Sequence, residues 1–175
     1  MKTLALSLLL ALALPMMAAV GGTVSQDVLP TTWLAGEAPK SWPTEEVWLI
    51  ECWASWCRPC LAAIPHMEEL WQQVKGEGIR FVGVNMGDRK TPDQLKTFLE
   101  RQPVPPTYAI AVDGGDRLAR ALGVRGIPAA YLVKGGKVIW QGHPQSLTVE
   151  KLRELAASTT EPEAAPEPPC PCGKH

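Results

Sequence analysis

The chain has 175 residues and a formal net charge of −1, from 17 basic and 18 acidic side chains. This length supports one domain with a sizeable core and short appendages. The charges nearly balance, so nothing in the composition suggests a nucleic-acid partner.

The first 21 residues are typical of an export signal. A positive start precedes the apolar run Leu4–Leu14, and small residues follow. The run is short for a helix that spans a membrane. Residues 1–21 are therefore predicted to be a signal peptide, cleaved after Ala19 or Gly21, with an uncleaved membrane anchor as the alternative. Either way, the domain is expected in a periplasmic or other extracytoplasmic space, where disulfides persist.

The next elements predict a strand, a helix and a strand. Residues 23–45 are expected to be irregular, because prolines interrupt them. Val47 to Trp53 is a nearly continuous apolar run of strand formers, which predicts a strand buried on both faces of a sheet. Cys57 to Val74 carries apolar residues at helical spacing, with Pro65 as a kink. Ile79 to Asn85 is the second buried strand, so a parallel right-handed crossover is expected.

The second half of the chain continues this α/β pattern. It predicts a helix at 91–101, a strand at 108–112, a short helix at 116–122, a hairpin of strands at 129–133 and 138–141, and a last helix at 148–157. From residue 158 the chain is rich in Glu, Pro and Ala, and residues 158–175 are expected to be disordered.

Cys57-Arg58-Pro59-Cys60 is the motif that carries chemistry. It lies between the first predicted strand and its helix, which places Cys57 at the helix N-terminus. The unpaired N–H groups and the positive end of the helix dipole stabilise a thiolate there. Cys60 lies one turn further along, within reach of Cys57. Such a pair can attack a partner's disulfide and then resolve the mixed disulfide.

Zinc sites use the same cysteine spacing, so the other cysteines decide between the two interpretations. A structural zinc site needs a second Cys or His pair in the folded domain. Of the remaining cysteines, Cys52 lies on the preceding strand, where a small buried apolar residue is expected. Cys170 and Cys172 lie in the proline-rich tail. A redox dithiol is therefore favoured.

The tail cysteines leave three alternatives open. Cys170 and Cys172 could be a second redox pair that exchanges with Cys57, since the proline-rich stretch before them can extend roughly 40 Å. Together with His175 they could bind a soft metal ion. They could also have no function.

Two blocks of sequence resemble a known family. Residues 51–60 resemble the active-site block of thioredoxin, and residues 123–128, followed by Lys134-Gly135-Gly136-Lys137, resemble its cis-proline block. The export signal and Pro65 make the chain similar to the exported TlpA-like branch, which is grouped with the redoxins. The resemblance implies a thioredoxin fold over residues 22–157, with a central mixed β-sheet flanked by α-helices.

The resemblance also implies roles at the dithiol. Cys57 would be the nucleophile, with an exposed thiolate, and Cys60 the resolving thiol. Glu51 stands where the family often carries a buried acid, and a carboxyl group among apolar strand residues should have a raised pKa. Glu51 would then exchange a proton with Cys60. The alternative is a strand-end glutamate that reaches solvent.

Three further residues would form the client-binding surface. Pro128 would be a cis-proline facing the dithiol. In the family, the backbone of the preceding residue, here Ile127, pairs with the client's backbone as a short strand. Trp56 would be a flat apolar contact for partner proteins.

The function that the resemblance implies is an extracytoplasmic thiol–disulfide oxidoreductase without a cofactor. It would reduce disulfides of client proteins and receive electrons from a membrane donor. Apocytochrome c or copper-site assembly proteins would be possible clients. The alternatives are a metal (copper) chaperone that uses the dithiol and the Cys-Pro-Cys tail, and a redoxin-type peroxidase. Peroxiredoxins carry a Pro-x-x-x-Thr/Ser-x-x-Cys pattern, which the residues before Cys57 do not match.

Overall fold

The computed structural model of the chain describes residues 20–37 and 46–158. Within these ranges, six strands form one mixed sheet and four α-helices cover it. The strands are β1 (Thr32–Ala35), β2 (Val47–Trp53), β3 (Ile79–Asn85), β4 (Ala109–Val112), β5 (Ala129–Lys134) and β6 (Lys137–Gly142). The helices are α1 (Arg58–Val74), α2 (Pro92–Glu100), α3 (Arg117–Leu122) and α4 (Val149–Ala157). The predicted α/β class and mixed sheet are confirmed.

The sheet has the strand order β1-β4-β3-β2-β5-β6. Strands β2, β3 and β4 are parallel, whereas β5 pairs antiparallel with β2 and with β6. The predicted parallel crossover and the terminal hairpin are therefore both confirmed. Because parallel strands end at one edge of the sheet, the residues that follow β2, β3 and β4 come together there.

Strand β2 is the centre of the molecule, and all seven of its residues are buried. Alternate side chains of a strand point to opposite faces. Leu49 and Trp53 therefore belong to the core beneath α1, α2 and α4, while Ile50 and Cys52 belong to the core beneath α3. This two-sided burial is what the continuous apolar run predicted.

The prediction of irregular structure for residues 23–45 is wrong at Thr32–Ala35. These residues form β1, the edge strand that pairs antiparallel with β4. Pro30 lies before the strand, so it removes no hydrogen bond from the ladder. The half-buried Trp33 and Leu34 pack against the two cores. Residues 38–45 lie outside the described residues.

All but residues 20, 21 and 158 of the predicted signal peptide (1–21) and tail (158–175) lie outside the described residues. This applies to residues 1–19 and to 159–175, with Cys170, Cys172 and His175 among them. Across the described residues, none of the helices has both the length and the apolar character needed to cross a membrane.

Candidate active site

The two cysteines of the motif lie at the junction between β2 and α1. Cys57 is the N-cap residue of α1, and its Sγ accepts a hydrogen bond from the backbone N–H of Cys60 at 3.3 Å. A disulfide joins Cys57 and Cys60, whose Cα atoms are 5.3 Å apart. The structure thus brings together the two predicted redox residues. In the reduced protein, the same N–H group can stabilise a thiolate on Cys57.

The expectation that Cys57 is exposed is wrong for this disulfide-bonded form. Cys57 is only 5% exposed, and Cys60 is fully buried. The disulfide-bonded Cys57 and Cys60 both belong to the core beneath α1. Of the two cysteines, only Cys57 has any surface exposed to solvent.

The loop after β3 braces the turn that precedes Cys57. The backbone N–H of Ser55 donates to Asp88 Oδ2 at 2.7 Å, and Trp56 Nε1 donates to the carbonyl oxygen of Gly87 at 3.1 Å. Partial burial acts to raise the pKa of Asp88. Hydrogen bonds from Ser55, from the Lys90 backbone and from Asn85 outweigh it and lower the pKa to about 2. Asp88 is therefore a charged brace at neutral pH.

Trp56 is held in place while most of its surface stays free. Its side chain is 62% exposed, although its indole N–H is hydrogen-bonded to the loop. The structure therefore places a fixed, solvent-facing apolar surface directly before Cys57, as the predicted contact for partner proteins requires.

The peptide bond between Ile127 and Pro128 is cis, as predicted. The residue that follows, Ala129, pairs with Cys52 near the end of β2. The Ile127–Pro128 bond therefore lies at the same end of the sheet as the N-terminus of α1. Ile127 and Pro128 are both half-buried. The role of this bond in client docking stays a prediction.

Glu51 lies in the middle of the sheet and does not reach solvent. It is 1% exposed, and its neighbours on the adjacent strands are Gly83 and Ala130. Burial raises the pKa of Glu51 to about 7, although a hydrogen bond from Tyr108 acts to lower it. The predicted rise of the Glu51 pKa is confirmed.

The hydrogen bond to Glu51 engages one of its two carboxyl oxygens. The Tyr108 hydroxyl donates to Oε2 at 2.9 Å. The other oxygen, Oε1, is buried and has no hydrogen-bond partner among the described residues. Glu51 belongs to the sheet face on which α1 and Cys60 pack, because it alternates with Leu49 and Trp53.

The remaining candidates from the sequence are Cys52 and a metal site in the tail. Cys52 is buried on the opposite face of the sheet, where burial and the nearby charge of Glu51 raise its pKa well above the usual value. It is therefore a small core residue, as expected. Within the described ranges, no cluster of three or more Cys, His, Asp or Glu side chains could hold a metal ion. The predicted tail site, with Cys170, Cys172 and His175, lies outside those ranges.

Sequence reasoning missed Asp88 and Tyr108. Asp88 accepts a hydrogen bond from Ser55, 33 positions earlier, and Tyr108 donates one to Glu51, 57 positions earlier. No local pattern connects either pair, because the contacts arise only when parallel strands align. The sequence offered only a weak signal for them. Asp88 lies in the loop that follows the predicted strand 79–85, and Tyr108 lies at the start of the predicted strand 108–112.

Glu68 on α1 fixes the loop that carries Tyr108. Its carboxylate accepts the Thr107 backbone N–H and the Thr107 hydroxyl, both at 2.7 Å, and the Gln72 amide at 2.6 Å. It is 7% exposed. This clamp joins the C-terminal half of α1 to the residue directly before Tyr108.

We expect the Glu68→Gln variant to be less stable by about 1–3 kcal/mol, because the amide nitrogen would face donors that need an acceptor. Urea unfolding of the oxidised protein measures this. Glu69→Gln is the matched control on the exposed face of the same helix, with an expected change within about 0.5 kcal/mol. Equal stabilities of the two variants would show that the clamp contributes nothing.

Comparison with known proteins agrees with this geometry. Residues 41–141, more than half of the chain, match the model of the AhpC/TSA family. The thiol-disulfide oxidoreductase ResA of Geobacillus thermodenitrificans is 34% identical over 87 residues, which are 49% of this chain and 48% of ResA. The thiol:disulfide interchange protein HelX of Rhodobacter capsulatus is 37% identical over 92 residues, which are 52% of this chain and 48% of HelX. The chain thus spans about half the length of these curated relatives.

Solved structures share the fold. A candidate thiol:disulfide interchange protein DsbE from Chlorobium tepidum has a TM-score of 0.63 at 27% identity, with 79% of this chain and 99% of that chain covered. The thioredoxin domain of a thiol-disulfide oxidoreductase from Bacteroides vulgatus has a TM-score of 0.65 at 18% identity, with 79% and 98% covered. The thioredoxin fold, expected from the active-site and cis-proline blocks, is confirmed.

Proposed function

We propose that this chain, which belongs to the AhpC/TSA family, is an extracytoplasmic thiol–disulfide oxidoreductase. It would reduce disulfides of client proteins. The observation that carries the proposal is the Cys57–Cys60 disulfide at the N-terminus of α1. The names of the relatives ResA and HelX support the same class of reaction.

Reduction of a client disulfide takes two exchange steps. In the first, the Cys57 thiolate attacks one client sulfur, a Cys57–client disulfide forms, and the second client sulfur leaves as a thiolate. In the second, Cys60 attacks the Cys57 sulfur, the Cys57–Cys60 bond forms, and the first client sulfur leaves. The client gains two electrons and takes up two protons. The dithiol becomes the disulfide that the structure contains.

Glu51 supplies the proton exchange in the second step. Cys60 is buried and attacks as a thiolate, so its proton needs an acceptor. Glu51 lies on the same face of the sheet and has a pKa raised by burial to about 7. A carboxylate with this pKa takes the proton from Cys60 at neutral pH and is itself reset between turnovers.

Client recognition uses the surface around the disulfide. The exposed indole of Trp56 offers an apolar contact, and the backbone at Ile127 and Pro128 offers pairing to an extended client segment. The proposed clients are extracytoplasmic proteins with disulfides, of which apocytochrome c and copper-site assembly proteins are examples. A membrane electron donor would return the disulfide to the dithiol. The apolar run Leu4–Leu14 supports export.

The reduction potential of the Cys57–Cys60 pair tests the direction of electron flow. We expect a value near that of thioredoxin, about −270 mV, because Pro59 resembles the Gly-Pro dipeptide of that reductant. The full chain, with Cys170 and Cys172 replaced by serine, would be equilibrated with dithiothreitol or glutathione buffers. A value near about −120 mV would mean an oxidant that inserts disulfides, and would overturn the proposal.

A further inference from the structure

Tyr108 reaches Glu51 across an intervening strand. The sheet runs in the order β4-β3-β2, and Tyr108 directly precedes β4, whereas Glu51 lies on β2. The residue of β3 that lies between them is Gly83, which pairs with Glu51 on one side and with Ile110 on the other. The tyrosine ring therefore passes over β3 at Gly83.

Gly83 has no side chain, and this leaves space for the Tyr108 ring to cross β3. A Cβ atom at this position would lie 3.3 Å from Tyr108 Cε2, 3.2 Å from Trp53 Nε1 and 2.9 Å from Ile110 Cδ1. All three distances are shorter than ordinary contacts of a Cβ atom, so the neighbouring side chains would have to move. An alanine here would displace the end of the Ile110 side chain and shift the rings of Tyr108 and Trp53 by a few tenths of an ångström.

The phenol is fixed from two further directions. The ring of Phe81 lies 6.0 Å from the Tyr108 ring, centroid to centroid, at an interplanar angle of 60°. The preceding residue, Thr107, is clamped to Glu68 of α1. Tyr108 is 2% exposed, so no water competes for its hydroxyl from the surface. Its hydrogen bond to Glu51 is therefore held by the surrounding packing.

We propose that Tyr108 is a positioning residue for proton transfer: it occupies Oε2 of Glu51 and leaves Oε1 as the oxygen that exchanges a proton with Cys60, and Gly83 makes this arrangement possible. The inference rests on the proposed role of Glu51 in the resolving step. It adds the residue that orients the acid and the atom through which the acid acts.

Few titratable groups surround Glu51. Tyr108 faces it from the segment before β4, and α1 contributes Cys60 and Glu68 on the same face of the sheet. Cys52 is its neighbour on β2 and points to the opposite face. The phenol is thus the one group that donates a hydrogen bond to the carboxyl among the described residues. Its removal is expected to raise the pKa of Glu51 further.

The resolving step, in which Cys60 attacks the Cys57 mixed disulfide, can be measured separately from the first step if the leaving group is coloured. The reduced protein attacks dithionitrobenzoate through Cys57 and releases one thionitrobenzoate anion. Cys60 then attacks the Cys57 mixed disulfide and releases the second anion in a unimolecular phase. All variants would carry serine at Cys170 and Cys172, so that the tail does not contribute colour. The rate of the second phase is measured against pH.

We expect the second phase of the parent protein to accelerate with pH around a midpoint near 7, where Glu51 ionises. Tyr108→Phe should move this midpoint upward by about half to one pH unit, since one hydrogen bond to the carboxylate is lost. At pH 7 the second phase should then be about two- to fivefold slower. The first phase, which depends on Cys57, should not change.

Gly83→Ala should move the midpoint in the same direction, although it retains both the phenol and the carboxyl group. The Tyr108→Phe/Gly83→Ala double variant should move it no further than the larger single effect. Tyr131→Phe is the matched control, because it removes a buried phenol from the other core. Gly114→Ala is the second control, because a Cβ there would meet nothing within 4 Å. Both controls should keep the parent midpoint.

The outcomes separate this inference from the function on which it rests. Glu51→Gln should remove the midpoint near 7, and its persistence in that variant would overturn the role of Glu51. Loss of the midpoint in Glu51→Gln, with an unshifted or lowered midpoint in Tyr108→Phe, would overturn the role of Tyr108 alone. Tyr108→Phe removes a single oxygen atom and should fold. The midpoint of this variant therefore tests the role of Tyr108 even if Gly83→Ala does not fold.

Discussion

Serine at Cys57 is expected to abolish disulfide reduction, with a loss of roughly a thousandfold or more in turnover. The first exchange step needs a thiolate, and a serine hydroxyl neither ionises at neutral pH nor attacks a disulfide. The buried Cys60 cannot take over, since no client sulfur reaches it. Turnover of insulin disulfides by the protein, with dithiothreitol as the electron source, measures the effect.

Serine at Cys60 should give a different result from serine at Cys57. The nucleophile stays, so the client becomes attached to Cys57, but the second exchange step has no thiol to perform it. A stable mixed disulfide between the protein and a disulfide-containing peptide should accumulate on a non-reducing gel and disappear with excess dithiothreitol.

Cys52→Ala is the matched control for both cysteine variants, because Cys52 is buried on the other face of the sheet. It should reduce client disulfides at the parent rate and accumulate no mixed disulfide. Accumulation of the mixed disulfide in Cys57→Ser in place of Cys60→Ser would mean that the order of attack is reversed. The orientation of the dithiol at the N-terminus of α1 would then not decide which sulfur reacts.

The elements that surround the dithiol could be predicted because each has a strong local signal. Val47–Trp53 and Ile79–Asn85 are continuous apolar runs, and the structure has strands with those bounds. Thr91 and Pro92 provide an N-cap and a first helical residue, and α2 begins there with a capping box. The short edge strand β1 has no such signal, since its stability comes from pairing with β4.

The reactive pair could be predicted from the sequence, whereas its surroundings could not. Cys57 and Cys60 are three positions apart and follow a buried strand, so the motif and its place in the fold are both local. The raised pKa of Glu51 followed from apolar neighbours on one strand. Its partner Tyr108 enters from a proline-rich loop 57 positions later. Such a contact depends on strand order, which single-sequence patterns do not specify.

Glu51 is also expected to make the folded protein less stable at neutral pH than a glutamine would. Its pKa is about 7 in the folded protein, against 4.5 in the unfolded chain. Below pH 4.5 the carboxyl group is protonated in both states and has no effect. As pH rises toward 7, the unfolded chain loses the proton first, so stability falls with pH and levels off above 7. The full loss is roughly 3 kcal/mol.

Glu51→Gln should therefore be more stable than the parent by roughly 3 kcal/mol at pH 8 and equally stable near pH 4. Glutamine can still accept the Tyr108 hydroxyl through its carbonyl oxygen, and it resembles the protonated carboxyl group in size and charge. Urea unfolding of the oxidised proteins across this pH range measures the difference. Glu100→Gln, on an exposed site of α2, should follow the parent curve throughout.

The same substitution links stability to chemistry. Glu51→Gln should slow the resolving step while it stabilises the fold at pH 8, because the proposed acceptor of the Cys60 proton is also a group that is costly to bury charged. A stability difference that is constant from pH 4 to pH 8 would contradict this link. Glu51 would then act as a hydrogen-bonded structural residue beneath Tyr108, and its ionisation would be irrelevant to folding and to catalysis.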